Sequence, residues 1–376
     1  MSNTIQLGRI ISISKGKKHN LQEDASSNSK RYIQIEDLRS DKTLKYTDDE
    51  KGVFVTQDDI IIAWDGANAA TVGYNLTGFI GSTLAALRNN NPKEYNPQYL
   101  ALFLQSKFNY LRSRTTGATI PHLHRKTLEN LKVPKLKIDD QIHIANLLSQ
   151  VESLIAKREE SIRLLDELLK STFLDMFGDP RTSNKQWKIV KLGILGNWKS
   201  GGTPLRKELQ YYEGDIPWIS SGELNEMFIS SSKEHITFDA IMNSNAKEIE
   251  IGSLLLGMYD TAALKSSITT ITATCNQAIA FAKLDDTQCN IFYIYHLIQI
   301  GKEYFKRQQR GVRQQNMNIT MIKNMPIILP PKPLQDKFAT IVQQVEQTKE
   351  QHQKSLQELK NLFGSLSQRA FRGELE

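Results

Sequence analysis

The sequence is poor in the features that mark secreted and membrane proteins. Its 376 residues include two cysteines, Cys275 and Cys289, which are too few for a disulfide framework and lack metal-ligand spacing. The longest apolar runs, around 60–64 and 253–258, fit single strands, whereas a membrane helix needs about 18 apolar residues. The first ten residues lack the basic-then-apolar order of a signal peptide. We therefore expect a cytoplasmic protein with reduced thiols and no membrane contact.

The chain also lacks a strong excess of either charge. Forty-eight Lys and Arg residues stand against 41 Asp and Glu, which gives a net charge of +7. Such a mild surplus favours a polyanionic partner without requiring one. The hydrophobic share of 39% and the charged share of 24% are those of globular proteins, and the length predicts two domains.

Catalytic motifs are missing as well. Residues 196–203 have the spacing of a phosphate-binding loop, but Gly202 stands where the lysine is required, so a glycine-rich turn is the better interpretation. His122 and His124 have no acidic or cysteine partners at metal spacing, which favours a structural or DNA-facing role. No nuclease carboxylate pair and no amino-methylation motif is present. We predict no catalytic residue, no metal site and no enzymatic activity for the chain alone.

An internal repeat organises the whole sequence. An offset of 194 residues brings 118–153 onto 312–347 without a gap, with Asn130 on Asn324 and Gln141 on Gln335. Further along, Phe177 falls on Phe371. Upstream, Leu7-Gly8 resembles 192–193, and an offset of 195 sets Trp64-Asp65 opposite 259–260. The halves are otherwise dissimilar, so the chain is predicted to be two copies of one unit with matching frames and different variable parts.

Each copy divides into a head and a long helix. Short β-branched and aromatic runs at 32–35, 53–64, 268–273 and 278–282 predict strands, and helices are expected at 98–114 and 292–309. The fold class is therefore α+β, with two mixed α/β heads, two long helices and a pseudo-two-fold repeat. The predicted boundaries are 1–138 for the first head, 139–178 for the central helix, 179–332 for the second head and 333–376 for the C-terminal helix.

Both long helices carry an apolar stripe with alternating spacings of four and three residues. In the first helix the stripe consists of Ile144, Leu148, Val151, Ile155, Arg158, Ile162, Leu165, Leu169, Thr172 and Met176. In the second helix it consists of Phe338, Val342, Val345, Lys349, His352, Leu356, Leu359, Phe363, Leu366 and Ala370. Each stripe packs on its own head or on the other helix. In the second case the helices form an antiparallel coiled coil separating the heads, because the second head begins where the first helix ends. The three mid-stripe polar residues either fix the register or are exposed.

The heads carry polar and basic loops. Arg, Lys, Asn and Gln supply the donors that read base edges, Ser and Thr can bind phosphates, and Asp can accept from cytosine. In the first head the candidates for DNA binding are Lys15, Lys17, Lys18, Asn20, Asp65, Asn68, Arg112, Arg114, His122, His124 and Arg125. In the second head they are Lys199, Thr203, Arg206, Tyr259, Asp260, Thr261, Arg307, Arg310, Arg313, Gln314 and Asn316. A solvated loop remains the alternative for each residue.

Several strings together resemble one known family. They are GGTPLR at 201–206, YYEGDIPWI at 211–219, NQAI at 276–279, NMPIILPP at 324–331, LLDELLKSTFLDMFGD at 164–179 and RAFRGEL at 369–375. Their order along nearly the whole chain is similar to that of type I restriction–modification specificity (S) subunits. The first head lacks the GGTP and PWI strings.

This resemblance implies a function and a set of partners. Each head would read one half of an interrupted, asymmetric sequence in double-stranded DNA, and the helices would set the unread spacer and dock two methyltransferase (M) subunits. The M subunits would bring S-adenosylmethionine and adenine methylation, and two restriction (R) subunits would bring ATP-driven translocation and cleavage. No cofactor is expected in this chain, while S-adenosylmethionine, ATP and Mg²⁺ would lie on the partners.

Three alternatives stay open at this point. The chain is a specificity subunit of a related system with another cleavage layout, a coiled-coil scaffold without a DNA role, or a self-sufficient nucleic-acid enzyme. A scaffold would bind specific and scrambled duplexes equally weakly and without a steep salt dependence. The bases that are read do not follow from the sequence.

Overall fold

The computed structural model describes residues 4–39, 42–117, 119–181, 187–259, 263–307 and 317–375. The chain separates into two compact units, and each unit combines one head with half of each long helix. Unit 1 consists of Met1–Glu160 with Gln353–Glu376, and unit 2 consists of Ser161–His352. None of the helices in the described ranges has the length and apolar character that crossing a membrane requires.

Unit 1 is built from three small sheets and the helices that cover them. Its strands are β1 (Thr4–Gln6), β2 (Ile11–Lys15), β3 (Lys30–Ile33), β4 (Tyr46–Thr47), β5 (Phe54–Val55), β6 (Ile60–Ala63), β7 (Val72–Gly73), β8 (Gly78–Ile80), β9 (Leu84–Asn89) and β10 (Lys132–Pro134). Its helices are α1 (Pro97–Ser106), α2 (Phe108–Arg112), α3 (Arg125–Glu129) and the start of α4 (Ile138–Phe177), with 3-10 turns at Leu7–Arg9 and Ile35–Leu38. The sheet orders are β2-β9-β6-β7, β4-β3-β8-β5 and β1-β10. β6 is buried on both faces, because each of its four residues is apolar.

Unit 2 repeats this plan. Its strands are β11 (Lys188–Lys191), β12 (Lys199–Ser200), β13 (Ile216–Ile219), β14 (Phe228–Ile229), β15 (Glu234–Ile236), β16 (Leu254–Gly257), β17 (Ser266–Thr269), β18 (Thr274–Cys275), β19 (Ile279–Ala282) and β20 (Pro326–Leu329). Its helices are α5 (Phe238–Met242), α6 (Ile291–Arg307), α7 (Ile319–Asn324) and the start of α8 (Lys332–Ala370), with 3-10 turns at Leu192–Leu195, Leu209–Tyr212 and Ser221–Glu223. The sheet orders are β12-β19-β16-β17-β14, β15-β13-β18 and β11-β20.

A buried glutamine confirms the predicted offset of 194 residues. In unit 1 the Oε1 of Gln141 accepts the backbone N–H of Asn96 at 3.0 Å, next to the start of α1. In unit 2 the Oε1 of Gln335 accepts the backbone N–H of Asn290 at 2.8 Å, next to the start of α6. Both glutamines are fully buried, and their amide nitrogens donate to backbone carbonyls. A buried amide needs such partners on both atoms, so this clasp is part of the repeated frame.

The repeat extends to an unfavourable backbone conformation. Ala70 has a φ of 75° and Leu264 has a φ of 57°, and these positions are 194 residues apart. A residue with a side chain rarely adopts this left-handed region. The Ala70 N–H donates to Ala63 O, and the Leu264 N–H donates to Gly257 O, each at 2.8 Å. The loop after β6 and the loop after β16 are therefore the same turn.

The long helices are antiparallel within each unit. In unit 1, Lys360 Nζ lies 2.8 Å from Glu159 Oε1, and Ile144 lies in the same apolar core as Ala370. In unit 2, Lys349 Nζ lies 2.7 Å from Asp166 Oδ1, and the rings of Phe173 and Phe338 are 5.5 Å apart. Residue numbers thus rise along α4 as they fall along α8.

Both interpretations of the apolar stripe hold. Within each unit, the stripe residues near the head join the core of that head and also meet the other long helix. Toward the middle, the stripe residues Ile155, Leu165, Leu356 and Leu359 are only half-buried. The predicted antiparallel pairing of α4 and α8 is confirmed, and the ion pair of Lys349 supports a register role for that residue. Arg158 and His352 are half-buried, and their role remains a prediction.

Two predicted elements are wrong in extent. The helix expected at 98–114 is broken at Lys107, where ψ is near 6° and where α1 ends and α2 begins. The strand expected at 53–64 is two strands in two sheets, β5 and β6. A turn separates them, in which the Asp59 carboxylate accepts the Thr56 N–H at 2.9 Å. An aspartate that binds the backbone three residues earlier favours a turn over a continuous strand.

Candidate nucleic-acid interface

Four of the candidates in unit 1 lie together, and we call them the Asp65 cluster: Lys15, Asp65, Arg112 and His122. Lys15 Nζ lies 2.7 Å from Asp65 Oδ2, and His122 Nδ1 bonds Asp65 Oδ1. The side chain of Asp65 is 13% exposed, while those of Lys15 and His122 are 51% and 53% exposed. The carboxylate is thus covered by two cationic or donor groups that themselves face solvent.

Backbone hydrogen bonds fix the geometry of this cluster. The Leu123 N–H donates to Trp64 O at 2.8 Å, and the Gly66 N–H donates to Pro121 O at 2.9 Å. His122 also exchanges backbone bonds with Thr116, at 2.7 and 3.0 Å. These bonds align the segment after β6 with the segment before α3. The side chains of the cluster are therefore held by rigid backbone on both sides.

Arg112 joins the cluster from α2. Its Nη1 lies 3.3 Å from the carbonyl oxygen of Gly66, next to Asp65. Three chain segments that are distant in sequence thus supply donors to one place. Their summed charge is positive, as binding to a phosphate backbone requires.

Other candidates in unit 1 are engaged elsewhere. Asn20 donates its backbone N–H to the Asp49 carboxylate at 3.0 Å, and this bond is the main reason that the pKa of Asp49 is lowered. Asn68 accepts from Arg39 at 2.9 Å. The guanidinium of Arg114 lies 3.8 Å from the centre of the Tyr110 ring. These contacts hold the side chains against the unit.

The remaining candidates in unit 1 are exposed. Lys17 and Lys18 extend the basic surface beyond Lys15, and His124 lies at the N-terminus of α3. Arg125 pairs with Glu129 one turn further along α3, at 2.7 Å. An exposed pair of this kind contributes little to stability and leaves the arginine available.

Sequence reasoning did not single out His19. Its ring packs between Tyr32 and Phe79, with ring centres 5.2 and 5.0 Å away, and its Nδ1 lies 3.1 Å from Asp49 Oδ2. The residue is 6% exposed, so it anchors the basic loop to the sheet. A histidine next to several lysines gives no sequence signal of burial.

In unit 2, two candidates support the fold. The guanidinium of Arg206 pairs with Glu234 and lies 4.5 and 4.8 Å from the ring centres of Tyr212 and Trp218. The Thr203 hydroxyl donates to the side-chain oxygen of Gln277. Both residues thus hold the loop that follows β12.

The glycine-rich segment of unit 2 is a turn. The N–H groups of Gly201 and Gly202 donate to the carbonyl oxygens of Ile279 and Cys275, at 3.1 and 3.0 Å. A Cβ at Gly201 would lie 2.3 Å from Cys275 O, and one at Gly202 would lie 2.2 Å from the Asn245 backbone. The amides are therefore occupied by protein and the glycines are needed for close approach, as the turn interpretation requires.

Lys199 is exposed on β12, and Tyr259 is 37% exposed after β16. Arg307 is the last residue of α6. Six candidates lie outside the described residues: Asp260, Thr261, Arg310, Arg313, Gln314 and Asn316.

Hydrogen bonds correct one predicted equivalence between the units. The Leu123 N–H donates to Trp64 O, and the Met317 N–H donates to Met258 O at 2.7 Å. Trp64 therefore corresponds to Met258, and Asp65 to Tyr259, at an offset of 194. The predicted offset of 195 at this position is wrong, because the one-residue insertion falls after the turn, between β17 and β19.

The start of each head also corresponds, although the sequence strings differ. The Gly16 N–H donates to Leu84 O at 2.9 Å, as the Gly201 N–H donates to Ile279 O. A Cβ at Gly16 would lie 2.3 Å from the Gly81 carbonyl oxygen, which matches the crowding at Gly201. Lys15 therefore corresponds to Ser200. The signal for this was the offset of 185 at Leu7-Gly8, which sequence reasoning did not carry forward.

In the described ranges no group of three or more His, Cys, Asp or Glu side chains is arranged to hold a metal ion. The thiols of Cys275 and Cys289 are free and buried, and burial raises the pKa of the Cys289 thiol to about 12. Neither thiol is therefore a reactive nucleophile.

Comparison with known proteins identifies the class. A family model described as type I restriction modification DNA specificity domain matches residues 2–164 and again residues 184–361. The chain belongs to this family and carries two copies of its domain. Membership confirms the predicted family, and with it the prediction of a chain that supplies specificity to a restriction–modification system instead of catalysis.

Particular relatives agree in name and in fold. The MjaVIII specificity subunit of Methanocaldococcus jannaschii is 30% identical over 200 residues, which is 52% of this chain and 46% of that protein. The MjaIX specificity subunit of the same organism is 23% identical over 314 residues, covering 78% of this chain and 73% of the relative. The crystal structure of a type I S subunit from M. genitalium superposes with a TM-score of 0.65 at 16% identity, over 98% of this chain and 95% of that one. This likeness confirms the predicted fold.

Proposed function

We propose that the chain is the DNA-recognition subunit of a type I restriction–modification complex, in which each unit reads one half of an asymmetric, bipartite target in double-stranded DNA. The observation that carries this proposal is the placement of unlike side chains on one repeated frame. Lys15 and Asp65 in unit 1 stand where Ser200 and Tyr259 stand in unit 2. Equal frames with unequal surfaces fit two unequal half-sites.

The helices α4 and α8 would set the unread spacer and dock two M subunits, with R subunits joining in the full complex. Two exposed leucines support docking at repeated positions. Leu168 on α4 and Leu362 on α8 are 194 residues apart, and they are 48% and 46% exposed. Half-exposed leucines on a long helix are typical of a protein interface.

The chemistry would lie on the partners. S-adenosylmethionine would bind to the M subunits, and ATP and Mg²⁺ would bind to the R subunits, with no cofactor in this chain. We place the complex in the cytoplasm, where its DNA target is found, without contact to a membrane. The two free thiols are consistent with a reducing compartment.

Exchange of one head tests the proposal. Residues 1–138 are replaced by the first head of another specificity subunit, and methylated adenines are mapped by long-read sequencing in cells that also carry the M subunit. We choose a donor head with Asn at position 96 and Tyr at position 99, because these residues contact Gln141 and Phe371 of the retained helices. One half-site should change while the other half-site and the spacer stay the same.

A second arm tests the helices with the same measurement. One heptad is added to both helices at the boundary of the units, after Glu160 and after His352. The spacer should lengthen while both half-sites stay intact. A wholly new or wholly unchanged motif in the head exchange, or altered half-sites in the heptad variant, would contradict the proposal. Loss of sequence preference in both would favour the scaffold alternative.

A further inference from the structure

We propose that Asp65 is a positioning residue for DNA reading: it aims Lys15 and His122 at the first half-site, and Tyr259 occupies the corresponding place for the second half-site. This inference rests on the proposed function. It differs from the expectation that Asp65 itself accepts a hydrogen bond from cytosine.

The bonding of the carboxylate carries the first step. Both oxygens of Asp65 already accept a donor, Oδ2 from Lys15 and Oδ1 from His122, and the side chain is only 13% exposed. A carboxylate that faced DNA phosphates without such cover would be repelled. The carboxylate therefore acts through its two partners.

The partners have the exposure that Asp65 lacks. Because the Nδ1 of His122 is bound to Asp65, its Nε2 is the ring atom left to meet a ligand, on a side chain that is 53% exposed. The ammonium of Lys15 keeps two further N–H donors, on a side chain that is 51% exposed. Lysine donors recognise the acceptor edge of guanine and the phosphate oxygens. The ligand class is thus a base edge of DNA with its adjoining phosphate.

Rigid backbone makes the direction of these groups definite. His122 lies in a segment bonded on both sides, to Trp64 and Gly66 through its neighbours and to Thr116 directly. Lys15 is the last residue of β2, which pairs with β9 over five residues. Only the side-chain torsions remain free, and the carboxylate between the two side chains fixes them.

The repeated frame carries the second step. Tyr259 follows the backbone bond between Met317 and Met258, which matches the bond between Leu123 and Trp64. Ser200 precedes the crowded Gly201, as Lys15 precedes Gly16. Where unit 1 has an ion pair, unit 2 has two neutral hydroxyl groups. The same two places would therefore read different bases in the two half-sites.

Three variants in complex with the M subunit test this inference: Asp65→Asn, Asp65→Glu and Tyr259→Ala. Adenine methylation is mapped at every genomic site that differs from the wild-type motif by one base. Asp65→Asn should lose about tenfold in discrimination at one or two positions of the first half-site, since a good side-chain pair to a base supplies discrimination of that order. Asp65→Glu should restore part of it, and Tyr259→Ala should relax the second half-site alone.

Further variants keep the test independent of folding. Lys15→Ala and His122→Ala should relax the same base positions as Asp65→Asn, whereas Asp58→Asn, an exposed aspartate of the same unit, should leave the motif unchanged. Copurification with the M subunit and the unfolding temperature report whether each variant folds. An unchanged motif in Asp65→Asn, or a change in the first half-site caused by Tyr259→Ala, overturns the inference. A wild-type complex without a bipartite motif overturns the proposed function instead.

Discussion

Unit 1 and unit 2 place the same polar groups at the same points of the frame, but they fill the space around them differently. The clasp of Gln141 recurs at Gln335, and the left-handed turn of Ala70 recurs at Leu264. In contrast, the buried Phe173 of unit 2 corresponds to Ser367 in unit 1. Backbone groups that must be satisfied leave few solutions, whereas apolar volume can be supplied by different side chains.

The heads show the same contrast at a parallel pair of strands. β3 runs parallel to β8 in unit 1, and β13 runs parallel to β18 in unit 2. The ring of Tyr32 on β3 packs against His19, while the ring of Trp218 on β13 packs against Arg206. The strand pair is shared, but unrelated loops supply the group that packs on it. Loop sequence can therefore change without loss of the sheet.

The largest difference is expected in the cores beside the helices. Phe173 is fully buried, with the rings of Phe177, Tyr293 and Phe338 between 4.9 and 5.6 Å away. Phe173→Ala should therefore lower the free energy of unfolding of unit 2 by about 3–5 kcal/mol. Ser367→Ala should change that of unit 1 by no more than about 1 kcal/mol, because it removes one hydroxyl group.

Urea unfolding followed by tryptophan fluorescence measures this difference. Three of the four tryptophans, at 187, 198 and 218, lie in unit 2, so the signal reports mainly on that unit. Circular dichroism reports on both units. Equal losses in the two variants would mean that the apolar filling is equivalent after all.

A second difference between the units depends on pH. His296 of unit 2 corresponds to Leu102 of unit 1, and both are buried. Burial lowers the pKa of His296 to about 4, with nearby Asp166 opposing the shift and Lys349 adding to it. Below pH 6.5 the unfolded chain binds a proton that the folded chain refuses, so stability falls as the pH drops from about 6.5 to 4. The loss is on the order of 3 kcal/mol.

His296→Leu gives unit 2 the side chain of unit 1 at this position. Its urea midpoint should lose much of the decline between pH 6.5 and 4.5 that the wild type shows. The imidazole signals of the wild type, followed by NMR, should place the His296 titration well below 6. An equally steep decline in the variant would assign the acid sensitivity to other groups.

Much of the frame is predictable from sequence, since it depends on local spacing. The stripe from Ile144 to Met176 predicts a helix that the structure places at Ile138–Phe177. The offset of 194 pairs Gln141 with Gln335 and Phe177 with Phe371, and each pair makes corresponding contacts, such as those of the phenylalanines to Tyr293 and Tyr99. Periodicity and repetition are carried by the sequence itself.

The candidate site follows only in part, because its geometry depends on distant segments. Lys15, Asp65 and His122 appear among the candidates on chemical grounds, but nothing in their spacing brings them together. Their meeting requires the pairing of β2 with β9 and the backbone bonds at Trp64 and Gly66. The same reasoning listed Arg206, which the structure binds to Glu234 and two aromatic rings. Residue type alone does not separate a free cation from a packed one.

The smallest effect is expected where the units are alike. Leu168 and Leu362 are nearly equally exposed at corresponding positions of α4 and α8, so the proposed docking of M subunits predicts equal consequences. Leu168→Asp and Leu362→Asp should each weaken binding of one M subunit by about 1 kcal/mol, or about fivefold in Kd, because about half of a leucine side chain would no longer be buried. Titration of the M subunit followed by native mass spectrometry counts the bound copies, and Leu168→Met and Leu362→Met should bind like the wild type. If one aspartate variant loses its partner and the other does not, the repeat of the helices does not extend to their docking surface, and the two M subunits would need to be held by different contacts.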